Sequence, residues 1–403
     1  MRTFLCLLLC VSLIGCSASP SGASYESVST DPLAAETLRQ YGIENPLDTR
    51  VWEAIRQFAY ASADGLLSGE ANDNYSPISL YTALAMAATG ASSGTADELY
   101  GVLGLPKDPD ALADIFAKIN RLLNVQSDTG RTRLSNSIWN QLDYPFHEAY
   151  IHRLQQKFGA SLFEVDFTEP ETANRMSDWV AKETEGLIRP KFEQTSDYRS
   201  VLFNTLYFKE SWLIPFSPDR TVRDTFQGSQ GDVEKDFLQS DQIQTYIHQG
   251  DIEGVILPLE FSRMIILKKS GANPRDILQE NLTELIHSGS DAIVTLKLPK
   301  FSFDNEYDLI PLLQQMGVST AFSPRADFSA MTPKDLDITE VRQNSHIGID
   351  ETGVEAAAMT MVAFAESAMI DPPLEVELTF DEPFLYMIES FDGLPLFIGT
   401  VTQ

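Results

Sequence analysis

Residues 351–373 read ETGVEAAAMTMVAFAESAMIDPP, and how this stretch is understood decides the fold. It follows the strand-like HIGID, which ends at Asp350. It precedes LEVELTF, where Leu374, Val376, Leu378 and Phe380 alternate with polar residues as in a strand with one buried face. Two accounts compete. A run of small and apolar residues suits a buried, Ala-rich helix. Against that stands the pattern E-x-G-x-E-A-A-A, made by Glu351, Gly353, Glu355, Ala356, Ala357 and Ala358. Gly353 supplies backbone freedom at a pivot, and the residues after it are small.

Other segments decide between the accounts. Residues 72–79 read NDNYSPIS and lead into an apolar helical run from Leu80 to Thr89. Asn204, Tyr207, Phe208, Lys209, Trp212, Pro215 and Phe216 form N-x-x-Y-F-K-x-x-W-x-x-P-F. Leu298, Pro299, Lys300 and Phe301 follow, then Met316 and Gly317, Ala321 to Ser323, and Ala326 to Ser329. The chain closes with Pro383, Phe384 and Leu385 and with the run from Pro395 to Gly399. In this order and spacing the set resembles the serpin family over nearly the whole chain beyond its N-terminal segment. The pattern at Glu351 is similar to the family's proximal hinge.

The resemblance implies a specific architecture and mechanism. The fold would be α+β, with three β-sheets, about eight or nine helices and an exposed reactive loop at about 351–373. The hinge would comprise Glu351, Gly353, Val354, Glu355, Ala356, Ala357 and Ala358. A target serine protease would cut the loop and form an acyl-enzyme. The freed hinge would then insert into the central sheet, drag the protease along and stall deacylation. Ser76, Ser79 and Asn204 would lie in a hydrogen-bonded shutter beneath that sheet, and Trp212 would cap the point where the loop enters it. The shutter position usually held by histidine falls on Gln343, which can donate and accept hydrogen bonds without titrating. Counting from Glu351 places the scissile bond at Ser367–Ala368, with neighbours between Phe364 and Ile370 open.

Insertion requires alternate side chains to enter the core. The inward set would be Val354, Ala356, Ala358, Thr360, Val362, Phe364 and Glu366, and the first six carry neither charge nor proline. No Lys or Arg follows Arg342. Trypsin-like enzymes, which need a cation before the bond they cut, are therefore not expected targets. Small Ser367 favours elastase- or subtilisin-like enzymes, and Phe364 or Met369 a chymotrypsin-like one. The alternatives are a non-inhibitory serpin acting as a binding module and a cross-class inhibitor of papain-like cysteine proteases.

Composition bounds the rest. The 403 residues suffice for one large domain or two average ones. Asp and Glu number 58 against 29 Lys and Arg, a net charge of −29. Such acidity disfavours nucleic acid, heparin-like polyanions and anionic membranes, and a soluble monomer is expected. Residues 1–15 form a secretory signal, with Arg2 before an apolar run from Phe4 to Ile14. The sequence LIGC at 13–16 resembles a bacterial lipobox, with lipidation at Cys16 and export to a bacterial membrane, the outer one by analogy; the alternative is an ordinary signal peptide cleaved near Ser19 and an extracellular protein. Cys6 and Cys10 lie inside the signal, so the mature chain keeps one cysteine and no internal disulfide. Membrane contact is expected through that lipid only. Residues 16–45 read as a lipidated, Ser-rich tether, and 46–403 as the globular domain.

Little else suggests chemistry. Residues 90–94, GASSG, match the G-x-S-x-G hydrolase elbow around Ser92. That motif needs a preceding strand, and TALAMAA is helix-forming. A lipid-anchored hydrolase on Ser92 is thus the weaker rival. The five histidines show no metal spacing, there is no C-x-x-C and no phosphate loop, and neither cofactor nor catalytic residue is expected.

Overall fold

The computed structural model describes residues 23–25, 31–192, 195–355 and 374–403. Among them are nine α-helices and two nine-stranded β-sheets. Helices dominate the first half and strands the second, the α+β arrangement expected from their order. The sheet count differs from the expected three. The long strand Gly231–Gln249 pairs first with Val222–Gly228, then with Ser290–Pro299 and finally with Ile252–Pro258. One continuous ladder thereby joins what would otherwise be two sheets.

The first sheet contains the site. Its main path runs from Ser24–Tyr25 through Ala160–Val165, Arg131–Gln141, Ser200–Ser211, Gly353–Val354 and Glu340–Ile349 to Phe301–Asp308. Four of these are named here by position: the near strand (Ser200–Ser211), the hinge strand (Gly353–Val354), the far strand (Glu340–Ile349) and the edge strand (Phe301–Asp308). Along the far strand burial alternates, with Gln343, Ser345, Ile347 and Ile349 inward and Asn344, His346 and Gly348 outward.

Helix Pro77–Gly90 lies beneath. All fourteen of its residues are buried, which follows from a sequence with no charged residue and an apolar surface on every side. Pro77 opens it at a position where the missing N–H is not needed. The next helix, Ser93–Leu103, starts only three residues later. The second sheet ends in the pair Phe384–Ser390 and Pro395–Val401, joined at Asp392 and Gly393. Gly393 has φ 79°, and a Cβ there would come within 2.8 Å of the Trp52 ring, so both backbone and space require glycine.

Two boundaries move. Residues up to 45 were expected as tether, yet Leu33–Ala34 pairs with Asn124–Gln126 and Ala35–Glu44 is helical. Leu33 and Leu38 are buried against Leu122, Val125 and Phe261. Two well-spaced leucines suffice to bind this stretch to the body. Strand Leu374–Thr379 was expected to bury one face along its length. Instead Leu374 is 58% exposed and only Leu378 is fully covered. It pairs in parallel with Ser290–Pro299 on one side and, among the described residues, is otherwise an edge.

Candidate functional site: the hinge and the seam below it

The near and far strands are parallel neighbours over three register pairs only: Glu340 with Val201, Val341 with Leu202 and Arg342 with Phe203. The hinge strand enters at the other end. Gly353 pairs with Ser211 and Val354 with Glu210 on the near strand, while Val354 pairs with Ile349 on the far strand. Both pairings are antiparallel. Between these ends, residues 343–348 and 204–209 share no ladder. The sheet therefore carries a seam, closed at the bottom by its own strands and at the top by the hinge.

A tight turn sets the hinge. Asp350 Oδ1 accepts hydrogen bonds from the Thr352 amide at 2.7 Å, the Thr352 hydroxyl at 2.6 Å and the Gly353 amide at 3.1 Å. Trp212, 3% exposed, braces the turn from below. Its indole N–H donates to the Asp350 carbonyl at 2.8 Å, and its amide donates to the Thr352 carbonyl at 3.0 Å. Glu351 accepts from the Thr221 hydroxyl at 2.6 Å and pairs with Lys300 at 2.9 Å. Burial opposes its charge, but the Thr221 and Lys300 contacts prevail and hold its carboxyl below the usual range.

The pivot is not where the sequence suggested. Gly353 takes ordinary strand backbone, whereas Glu355 has φ 52°. Its amide still donates to the Gly348 carbonyl at 2.9 Å. Glu355, the last residue described before 374, is thus tied to the sheet. Val354 is 1% exposed. Ala356, Ala357, Ala358, Ser367 and Ala368 lie outside the described residues, as does Cys16.

The shutter residues separate into two groups. The Gln343 carbonyl oxygen accepts from the Ser76 amide at 2.8 Å, its amide donates to the Ser76 carbonyl at 2.9 Å, and Ser76 donates to Ser79 at 2.9 Å. Glutamine thus joins the far strand to the start of helix Pro77–Gly90 with a reciprocal pair of bonds. Asn204 stands apart and bonds across to Asn136, which in turn donates to the Phe158 carbonyl. Asn136 gave no sequence signal, since RTRLSNSIWNQ looks too polar for a buried strand. Ser92 precedes helix Ser93–Leu103 at its N-cap position, follows a helix rather than a strand, and has the Ser329 hydroxyl at 3.0 Å.

Two titratable groups at the hinge also went unread. Glu210 lies beside Val354 as its register partner, fully buried, and accepts from Thr132 at 2.9 Å, the Phe261 amide at 3.1 Å and Ser262 at 2.7 Å. Burial pushes its carboxyl up to about 7 against those three bonds. On the outer face, His346 sits between Asp304 and Glu355, with Nε2 at 2.8 Å from Glu355 Oε1. No donor is aligned on that oxygen, so the contact is one of charge more than of a directed hydrogen bond. A cleft of about 350 Å³ opens here, lined by Leu187, Phe301, Ser302 and His346 among others. Among the described residues no group of three or more His, Cys, Asp or Glu is arranged to hold a metal.

A half-filled seam headed by a docked hinge, over a buried helix locked to the far strand, defines a serpin. The family model described as serpin (serine protease inhibitor) matches residues 53–403, and the chain belongs to that family. It is 31% identical over 388 residues to an uncharacterized serpin-like protein of Thermococcus kodakarensis, covering 93% of this chain and 89% of that one. It is 29% identical over 377 residues to Iripin-8 of Ixodes ricinus, covering 87% and 93%. The crystal structure of Serpin48, a highly specific serpin of the insect Tenebrio molitor, superposes with a TM-score of 0.79 at 26% identity, covering 89% of this chain and 99% of that one. Protease inhibition is the general activity of the family, a target protease its general partner, and its members are generally inhibitors rather than enzymes.

Proposed function

We propose that this protein is a suicide-type inhibitor of elastase-, subtilisin- or chymotrypsin-like serine proteases. It traps the acyl-enzyme by drawing its cut loop into the seam. The observation that carries this reading is the hinge strand, already paired on both sides at the head of a gap with no ladder of its own. Val354, Ala356, Ala358, Thr360, Val362 and Phe364 would follow it inward without burying a charge. The bond cut is Ser367–Ala368 or a neighbour within 364–370. With no Lys or Arg after Arg342, the loop offers a trypsin-like pocket nothing to pair with.

Mixing the protein with elastase should give an SDS-stable complex and release a C-terminal peptide whose first residue maps the bond. Trypsin should give no such complex. A covalent trypsin complex would overturn the target class, and an elastase cut outside 364–370 the placement.

Export and lipid attachment at Cys16 belong to the same proposal and rest on LIGC at 13–16. Several acyl chains anchor stably where one does not. The wild type should partition with membranes and Cys16→Ala should be released. A mature N-terminus mapped elsewhere would remove the anchor from the proposal.

A further inference from the structure

Glu355 is the last residue described before 374, and its backbone leaves strand geometry for the left-handed region at φ 52°. A long L-side chain resists this conformation and keeps it only when its surroundings impose it. To extend the hinge strand by one residue, Glu355 must return to strand geometry. Whatever holds its side chain in place therefore controls entry to the seam.

What holds it is His346. The imidazole is clamped from the edge strand by Asp304 through Nδ1 and faces Glu355 through Nε2 at 2.8 Å. Gly348 lies on the same outer face and in the same cleft, and its carbonyl accepts from the Glu355 amide. Other charged or titratable groups face this cluster. Asp350 lines the same cleft. On the near strand Tyr207 feels the fields of Glu355 and of Glu185, which is itself paired with Arg131. Lys209 stands one place past Glu210, opposite Glu355 if the present register continues.

We propose that protonated His346 is an electrostatic latch on the hinge, holding Glu355 in its left-handed conformation, and that losing this proton frees the hinge to lengthen into the seam. The latch regulates the insertion step and so rests on the function proposed above. It also explains how the hinge can leave: an extended Glu355 exchanges His346 for Lys209. Glu355 foremost, with Asp304 behind it and burial opposing, raises the His346 imidazole from 6.5 to about 9. A raised histidine stabilises the latched form fully below its unperturbed value. That contribution is lost as pH rises from about 6.5 through about 9. The latch is therefore charged at neutral pH and opens on the alkaline side.

The test follows conversion of the uncut chain to a heat-resistant form at a fixed elevated temperature, between pH 7 and pH 10. In the wild type the rate should rise about tenfold across that range, a shift of this size being discounted for partial exposure. H346Q should convert fast with no rise. H346K, which keeps the charge, should convert slowly at every pH. D304N should move the midpoint toward neutrality. As a separate arm, each protein is cut in its loop by elastase and melted. If cutting adds no thermal stability, the insertion reading falls and takes the latch with it. If cutting does stabilise, a wild type and an H346Q that follow the same pH course overturn the latch alone, as does a complete absence of conversion at pH 10.

Discussion

At the scale of single residues, the hinge is flanked by ionisable groups on both faces, and the two respond to pH over different windows. Glu210 beside it carries a carboxyl raised from 4.5 to about 7 by burial. The folded state binds this proton more tightly than the unfolded chain, so stability from this group is greatest at low pH. It falls as pH rises from about 4.5 through about 7. Glu210→Gln should remove that slope. Its amide can donate to Thr132 while its oxygen accepts from Phe261 and Ser262. The variant should melt higher than wild type at pH 8, by an amount on the order of 3 kcal/mol, and show little gain at pH 5. Thermal melts at the two pH values check this, and equal gains at both would assign the effect to packing. Glu210 could not be recognised in sequence because a glutamate beside Lys209 gives no sign of burial. Its complete burial and its three donors show that this carboxylate points inward.

At the scale of elements, what was legible depended on where the burial signal came from. Helix Pro77–Gly90 and the strand Pro395–Val401 were readable because apolar runs announce them. Arg131–Gln141 was not, although most of it is buried. Its polar side chains are covered because they spend themselves on partners: Thr132 on Glu210, Ser135 on Glu183, Asn136 on Phe158. Periodicity cannot report a strand whose core face is made of satisfied hydrogen bonds. The hinge was legible as a motif, but its geometry was not. Glycine marks where freedom is allowed, whereas the left-handed turn falls two residues later, on Glu355. The element predicts its own failure. Val354→Glu places a charge at a position now 1% exposed, and Ala356→Arg would bury one on insertion, which is costly. Both variants should be cut by elastase yet give little or no SDS-stable complex. Undiminished complex formation by both would rule out insertion.

At the scale of the whole molecule, the body begins earlier than composition suggested. Leu33 and Leu38 close a small apolar cluster with Leu122, Val125 and Phe261. A chain started at Pro46 should therefore melt below one started at Asp31. Two buried leucines set an upper bound of roughly 3–6 kcal/mol on the loss. Matched melting curves check this, and identical curves would return the segment to the role of a tether. The direction of the strands carries a last consequence. The near and far strands are parallel to each other, and the hinge strand is antiparallel to both. A loop that follows the hinge forms two perpendicular ladders along the seam, and gives up a slanted one only at the three pairs from Glu340 to Arg342. Withdrawal would have to break both ladders within a closed interior, so the process runs one way. On the proposed function, each copy is consumed by a single encounter and has no turnover. Protection then scales with the number of copies held in reserve, not with the time available, and an assay on this molecule is a titration with an endpoint.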